Sequence, residues 1–114
     1  MKFTSSSLRS IYIMLRNLAP FKNWSMPDEK NMIFVASNDT DAMGSYVYDE
    51  EKERHVMTIS KQKNGHLDTV IKTMAHEMIH LRRWKTSGWD KHDDVFRKYA
   101  TQVANELGFD PNEL

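Results

Sequence analysis

The stretch of residues 67–81 constrains the fold of this chain more than any other, because it carries two opposed patterns. Six apolar residues at three- and four-residue spacing mark one face of a helix: Leu67, Val70, Ile71, Met74, Met78 and Leu81. On that helix, His76 and His80 centre roughly 150° away from the apolar face and lie about 40° apart. Thr69, Thr73 and Trp84 lie on the same side as the histidines. The pattern predicts a helix that packs against a core on one side and lines a cleft on the other.

Residues 76–80 read His-Glu-Met-Ile-His, the HExxH pattern in which two histidines lie one helical turn apart. Both imidazoles can therefore reach one metal ion, and Glu77 projects beside them. A catalytic zinc site has three protein ligands and leaves its fourth position to water, so a third ligand must come from elsewhere in the chain. The alternative interpretation is a pair of surface histidines that bind no ligand.

His92 is the predicted third ligand. It precedes a helical stripe of apolar residues that ends at Gly108 and Pro111: Val95, Phe96, Tyr99, Val103 and Leu107. We expect His92 on the inward face where that helix starts, within reach of the HExxH histidines. Asp93 and Asp94 are the competing ligands, but they fall off the stripe and suit the N-terminal helix dipole without a metal. A purely structural His92 is the other alternative.

Upstream of the HExxH helix, the sequence predicts one helix and three strands. Apolar residues at helical spacing, after the serines at 5–7, predict a helix over residues 5–18. Runs rich in β-branched and aromatic residues predict strands at 31–36, 43–48 and 54–60, the last two as a hairpin. Trp24 is expected to anchor a loop on the core, and Asp68 to cap the HExxH helix. Together these elements predict an α+β fold in a single domain spanning residues 1–114.

Composition limits the partners of the chain. With no cysteine, disulfides, zinc ribbons and thiol nucleophiles are excluded, and any metal must be held by His, Asp or Glu. Sixteen basic residues balance sixteen acidic ones, so no overall field attracts nucleic acid or an anionic membrane. No apolar run approaches the roughly 20 residues of a membrane-spanning helix. We therefore expect a soluble protein of a reducing cytoplasm, without a membrane partner.

Some polar and aromatic residues remain without an assigned role. The one basic concentration follows the HExxH motif: Arg82, Arg83, Lys85, Lys91, Arg97 and Lys98. Cations there complement the helix dipole, and contact with DNA phosphates is the alternative. His55 and His66 are expected to be structural or solvent-exposed, with His66 the one that could touch substrate. Three tyrosines could supply a donor to an oxyanion, and the sequence does not choose among them: Tyr46, Tyr48 and Tyr99.

These residues predict zinc-dependent hydrolysis of peptide bonds. A Zn²⁺ ion held by His76, His80 and His92 would lower the pKa of bound water and polarise the substrate carbonyl. Glu77 would act as the general acid and base. An extended protein or peptide substrate would add a strand to the open edge of the sheet. The alternative function is a metal-stabilised module that binds DNA or a protein without proteolysis.

The motifs also resemble a known family. Residues 73–80, with eleven residues between His80 and His92 and with Phe96 in a His-x-x-x-Phe arrangement, are similar to the SprT-like zinc metalloproteases, the family of Spartan. The resemblance extends over about residues 21–114, including Met-Gly-Ser-Tyr at 43–46. It implies a zincin-like fold, zinc ligation by the three histidines and catalysis by Glu77.

The same resemblance bears on origin and partners. Cellular members of the family degrade proteins crosslinked to DNA and usually carry separate DNA-binding parts such as a Cys-rich zinc ribbon. This chain has no cysteine, and its sequence reaches five residues past Phe109, which departs from the family's DNA-targeting part and leaves its hydrolytic site untouched. For the substrate, the resemblance implies action on DNA-associated proteins. Cores of this size resemble those encoded by bacteriophages, which predicts a bacterial cell or a phage-infected host as the setting.

Overall fold

A computed structural model describes residues 2–114 and confirms the predicted α+β fold. This part of the chain forms three α-helices and one three-stranded sheet: α1 (Ser5–Arg16), β1 (Met32–Ser37), β2 (Gly44–Asp49), β3 (Arg54–Ser60), α2 (Leu67–Arg82) and α3 (Asp94–Leu107). Short 3-10 turns lie at Phe21–Asn23, Glu29–Asn31 and Pro111–Glu113. The observed strands agree with the predicted ones to within one residue at each end.

Helix α1 starts one residue after Thr4, which is the N-cap. The Thr4 hydroxyl accepts a hydrogen bond from the backbone N–H of Ser7, and the Ser7 hydroxyl accepts one from the backbone N–H of Thr4. This reciprocal pair satisfies two backbone donors that the first helical turn leaves free. The helix ends at Arg16 rather than at residue 18, because Asn17 already leaves the helical conformation as the C-cap.

The sheet has the strand order β1-β3-β2, so the last strand in the sequence is the central one. Strands β2 and β3 form the predicted antiparallel hairpin, with Gly44 opposite Ile59. Strand β1 runs parallel to β3, with Met32 opposite His55. The buried face of β3 carries His55, Met57 and Ile59. Both faces of this strand contain apolar residues, so the sequence alone does not predict which face is buried. Strands β1 and β2 are therefore the two edges of the sheet.

Helix α2 packs against the sheet with the apolar face that the sequence predicts, except at its start. Val70, Met74, Met78 and Leu81 are fully buried. Leu67 is 52% exposed, because it occupies the first turn, which lies beyond the edge of the core. The prediction that Asp68 caps this helix is wrong: the N-cap is His66, without a side-chain hydrogen bond, and Asp68 lies in the first turn. A carboxylate in that turn still favours the helix through the helix dipole.

Helix α3 begins after the N-cap Asp93 and ends at Gly108, whose φ of +84° is the left-handed conformation that favours glycine. Its predicted apolar stripe starts one residue late, since Val95 is 48% exposed and Phe96 is fully buried. Trp24 packs against the core as predicted, with ring contacts to Phe21 and Tyr99. Across residues 2–114, none of the helices combines the length and the apolar character that crossing a bilayer requires.

Candidate metal centre

Three histidines from two segments converge on one point. His76 and His80 lie one turn apart on α2, and His92 lies in the connection just before α3. The Nε2 atom of His92 is 3.1 Å from Nε2 of His76 and 3.1 Å from Nε2 of His80. In a tetrahedral zinc site with Zn–N distances of about 2.0–2.1 Å, two ligand nitrogens are about 3.3 Å apart. The spacing of these donor atoms therefore fits one such ion.

Main-chain oxygen atoms fix the orientation of the two histidines on α2. Nδ1 of His76 donates to the main-chain oxygen of Leu114 at 2.7 Å, and Nδ1 of His80 donates to the carbonyl oxygen of Trp89 at 2.7 Å. A carbonyl or carboxylate oxygen only accepts, so each Nδ1 carries the proton and each neutral ring has its lone pair on Nε2. Both lone pairs therefore face His92, which is the arrangement that metal-ligating histidines adopt.

Burial keeps these imidazoles in the neutral form that a metal requires. It lowers the pKa of His76 to about 4, against the opposing effect of the hydrogen bond to Leu114. It also lowers the pKa of His80, which is 7% exposed. A neutral imidazole has no proton to lose before it binds a cation, so binding near pH 7 faces little competition from protons.

Phe96 explains the His-x-x-x-Phe spacing in the sequence. Its ring centroid lies 4.9 Å from that of His76, 4.8 Å from that of His80 and 4.7 Å from that of His92. Phe96 is fully buried in the first turn of α3, and its ring packs against all three imidazoles. This packing restricts the rotamers of the histidines.

Glu77 lies beside the histidines in a different environment. Its side chain is only 6% exposed, and burial raises the pKa of its carboxyl group to about 7. Together with His76 it lines a pocket of about 500 Å³, which we call the Glu77 pocket. The other lining residues come from the start of β2, from α2 and from the last turn of the chain: Met43, Gly44, Thr69, Lys72, Thr73, Glu113 and Leu114. A carboxyl group in this range can both accept and return a proton near neutral pH.

The model of the SprT-like family matches residues 13–113. The chain belongs to the SprT-like family. A search of curated proteins and a search of solved structures found no match to it. The predicted family resemblance is confirmed, and the family match covers both the HExxH helix and His92.

The remaining sequence candidates of this SprT-like chain lie outside the histidine cluster. Within residues 2–114, the grouping of metal-binding side chains contains neither His55 nor His66, and neither Asp93 nor Asp94. His55 is buried and bonded to the hydroxyl of Tyr46, as expected for a structural histidine. The predicted preference for His92 over the two neighbouring aspartates agrees with this geometry.

The tyrosines make other contacts. The hydroxyl of Tyr46 is hydrogen-bonded to His55. Tyr48 stacks on Trp84 with ring centroids 4.6 Å apart, and the ring of Tyr99 packs against that of Trp24. No tyrosine lines the Glu77 pocket.

Three features of the site had no signal in the sequence of this SprT-like chain. The oxygen atoms of Trp89 and Leu114 that accept from the histidines belong to the main chain, so no residue type indicates them. Arg83 is buried and paired, although its position in a basic run indicates a solvated charge. Asn64 is fully buried and links α2 to the sheet, although its place in a polar turn is typical of a surface residue.

Proposed function

We propose that this SprT-like chain is a zinc-dependent peptidase in which His76, His80 and His92 hold the metal and Glu77 is the catalytic acid and base. One observation carries the proposal: three imidazoles, two of them oriented by main-chain oxygens, direct Nε2 atoms at one point beside a buried carboxyl group. Family membership supports the same assignment.

The size of the ligand set favours catalysis over a purely structural metal. Structural zinc sites are closed by four protein ligands, whereas catalytic sites have three. Within residues 2–114, the cluster consists of three histidines and no further cysteine, histidine or carboxylate. Three ligands leave one coordination position for water or substrate.

Bound zinc supplies Lewis-acid activation of the attacking water and of the scissile carbonyl. Glu77 takes a proton from the water as the water oxygen bonds to the carbonyl carbon. Its carboxyl group then returns that proton to the amide nitrogen as the C–N bond breaks, which releases a carboxylic acid and an amine. Burial places the pKa of Glu77 near 7 before a cation is bound, and a nearby cation favours the carboxylate that the first step needs.

The sheet offers a place for an extended peptide beside this carboxyl group. Strand β2 pairs with β3 on one side, so its other side is an edge. Gly44 at the start of β2 lines the Glu77 pocket and lies close to α2, since a Cβ atom there would be 2.8 Å from Cγ2 of Thr73. A peptide that adds a strand to β2 would therefore run past Glu77.

Replacement of Glu77 by Gln tests the assignment. The amide has the same shape but cannot take the proton, so hydrolysis of labelled unfolded casein should fall by at least about 100-fold. Zinc content should stay at about one ion per chain by elemental analysis. His76→Ala should lose both zinc and activity. Glu106→Gln, an exposed change on α3, is the matched control and should retain both.

Two outcomes would contradict the proposal. Full activity in Glu77→Gln would exclude this residue as the acid and base. Stoichiometric zinc without any hydrolysis by the wild-type protein would favour the metal-stabilised binding module instead.

Contact with DNA, or action on DNA-associated proteins, stays a prediction. Of the basic concentration after the HExxH motif, Arg83 is internal and paired with Asp93, so it is not available to phosphates. The exposed members are Arg82, Lys85, Lys91, Arg97 and Lys98. If they bind DNA, the affinity should fall steeply as salt is raised.

A further inference from the structure

His92, the third histidine of the cluster, does not lie in a helix or strand that would fix its position. His76 and His80 are fixed by the helix that carries them, whereas His92 is exposed and lies in the connection between α2 and α3. A metal ligand must be held within a fraction of an ångström of its working position, so a loop ligand needs anchors of its own. The inference below rests on the proposed metal site.

Arg83 provides such an anchor from the metal-binding helix itself. It is the C-cap of α2, three residues after His80, and its side chain is only 6% exposed. Nη1 donates to the carbonyl oxygen of Lys91 at 3.3 Å and to Oδ1 of Asp93 at 2.8 Å, and Nη2 donates to Oδ2 of Asp93 at 3.0 Å. The guanidinium group thus holds the residue on either side of His92.

The carboxylate of Asp93 extends this anchor into α3. Oδ1 also accepts a hydrogen bond from the backbone N–H of Phe96 at 3.0 Å, which caps the helix. Phe96 is the residue whose ring contacts all three imidazoles. The Asp93 carboxylate therefore connects Arg83 to the residue next to His92. It also connects Arg83 to Phe96, whose ring packs against the three imidazoles.

Gly88 allows the connecting loop to approach the Arg83–Asp93 pair closely. A Cβ atom at this position would lie 2.8 Å from Nη2 of Arg83 and 3.2 Å from Oδ2 of Asp93. A larger residue would therefore require the loop or the two side chains to shift. The loop covers the Arg83 side chain, which is 7% exposed, whereas the Asp93 side chain is 39% exposed.

We propose that Arg83 is a positioning residue for the third metal ligand. Its planar guanidinium group forms hydrogen bonds to Lys91 and Asp93 simultaneously. These contacts hold His92, which lies between them in the sequence, in position to share a metal ion with His76 and His80. A lysine would keep the charge but could not form the bidentate contact with the carboxylate. The role is distinct from a general contribution to stability because it acts on metal affinity through one ligand.

The zinc affinity of Arg83→Lys, measured on the full chain by competition with a chromophoric chelator, tests this role. We expect about 10- to 100-fold weaker binding than in the wild type, the usual effect of removing an outer-shell contact. Arg82→Lys, the same change at an exposed neighbour, is the matched control and should bind zinc with unchanged affinity. Asp93→Asn keeps the helix cap and loses the ion pair, and it should weaken binding in the same direction.

A double-mutant cycle with His92→Ala separates positioning from overall stability. If Arg83 acts through His92, Arg83→Lys should cause no further loss of zinc affinity in the His92→Ala background. An equal loss in both backgrounds would overturn the inference, as would unchanged affinity in Arg83→Lys. If Arg83→Lys does not fold, the same cycle with Asp93→Asn decides the question. Absence of zinc binding by the wild type would instead reject the proposed function on which the inference rests.

Discussion

His55 contacts the hydroxyl of Tyr46 through Nδ1, at 2.7 Å, on the buried face of the central strand. The rings of Tyr48 and Trp84 pack against the same imidazole, with centroids 4.9 Å and 4.7 Å away. A proton added to this ring would place a charge among aromatic groups with little water. Burial therefore lowers the pKa of His55 below its ordinary value of 6.5.

The stability of the protein should decrease in acid partly because of His55. Below about pH 6.5, His55 binds a proton in the unfolded chain but not yet in the folded one. Its contribution to the free energy of unfolding is therefore fully present above that pH and is lost as the pH falls towards the lower pKa of the folded state. His55→Asn keeps a partner for Tyr46 without this titration, and the fall between about pH 7.5 and 5.5 should become smaller. Urea unfolding at several pH values, with a chelator present, measures this fall in the free energy of unfolding. A slope that remains combines His76 and His80, on which burial acts in the same direction, with Glu77, whose raised pKa acts in the opposite direction.

An exposed histidine is the control for this experiment. His66→Asn makes the same substitution at an exposed position, and the fall in stability that depends on His55 should persist in this variant. Identical slopes in His55→Asn and the wild type would contradict the assignment to His55.

At the scale of elements, α2 is attached to the sheet by a buried polar contact as well as by its apolar face. Nδ2 of Asn64 donates to the carbonyl oxygens of Ser60 at 2.7 Å and Met43 at 3.1 Å. Oδ1 of Asn64 accepts from the Thr73 hydroxyl at 2.7 Å. One amide therefore links the end of β3 and the residue before β2 to α2, beside the Glu77 pocket.

Asn64→Ala should lower the free energy of unfolding by about 3 kcal/mol, because it removes three hydrogen bonds worth about 1 kcal/mol each. Urea unfolding of the metal-free protein measures the change. Asn105→Ala, an exposed substitution on α3, should stay within about 0.5 kcal/mol of the wild type. A loss below about 1 kcal/mol in Asn64→Ala would show that this contact does not hold the elements together.

At the scale of the whole molecule, the histidine cluster joins segments that are far apart in the chain. The histidines come from α2 and from the connection before α3, and Nδ1 of His76 reaches the last turn at Leu114. Phe96 adds the body of α3. An ion bound at this point favours the folded state, because the unfolded chain does not present these groups together.

Zinc should therefore stabilise the protein against urea. At a free concentration about 100 times the dissociation constant, one ion adds about 2.7 kcal/mol to the free energy of unfolding. The same zinc concentration should stabilise His92→Ala much less, since that variant lacks one ligand. Magnesium, which prefers oxygen ligands, should have no comparable effect on the wild type. Equal stabilisation by zinc of both proteins would contradict a three-histidine site.

Much of the fold follows from local patterns in the sequence. The strand runs, the hairpin and the two amphipathic helices around the site agree with prediction because the periods of side-chain burial are fixed by helix and strand geometry. The errors fall at element ends. Leu67 and Val95 fit their stripes but are exposed, since a helical period says which face is apolar and not how far the core extends along it.

Helix geometry alone places His76, Glu77 and His80 on one side of a helix, because 3.6 residues per turn sets their angles regardless of context. The stripe of the helix that follows also indicates His92. No local pattern indicates the parallel pairing of β1 with β3, the main-chain partners of the histidines or the burial of Arg83, which the folded structure shows. Those features depend on which distant segments meet, and a backbone carbonyl or a surface-type arginine carries no residue signal of the partner it will find.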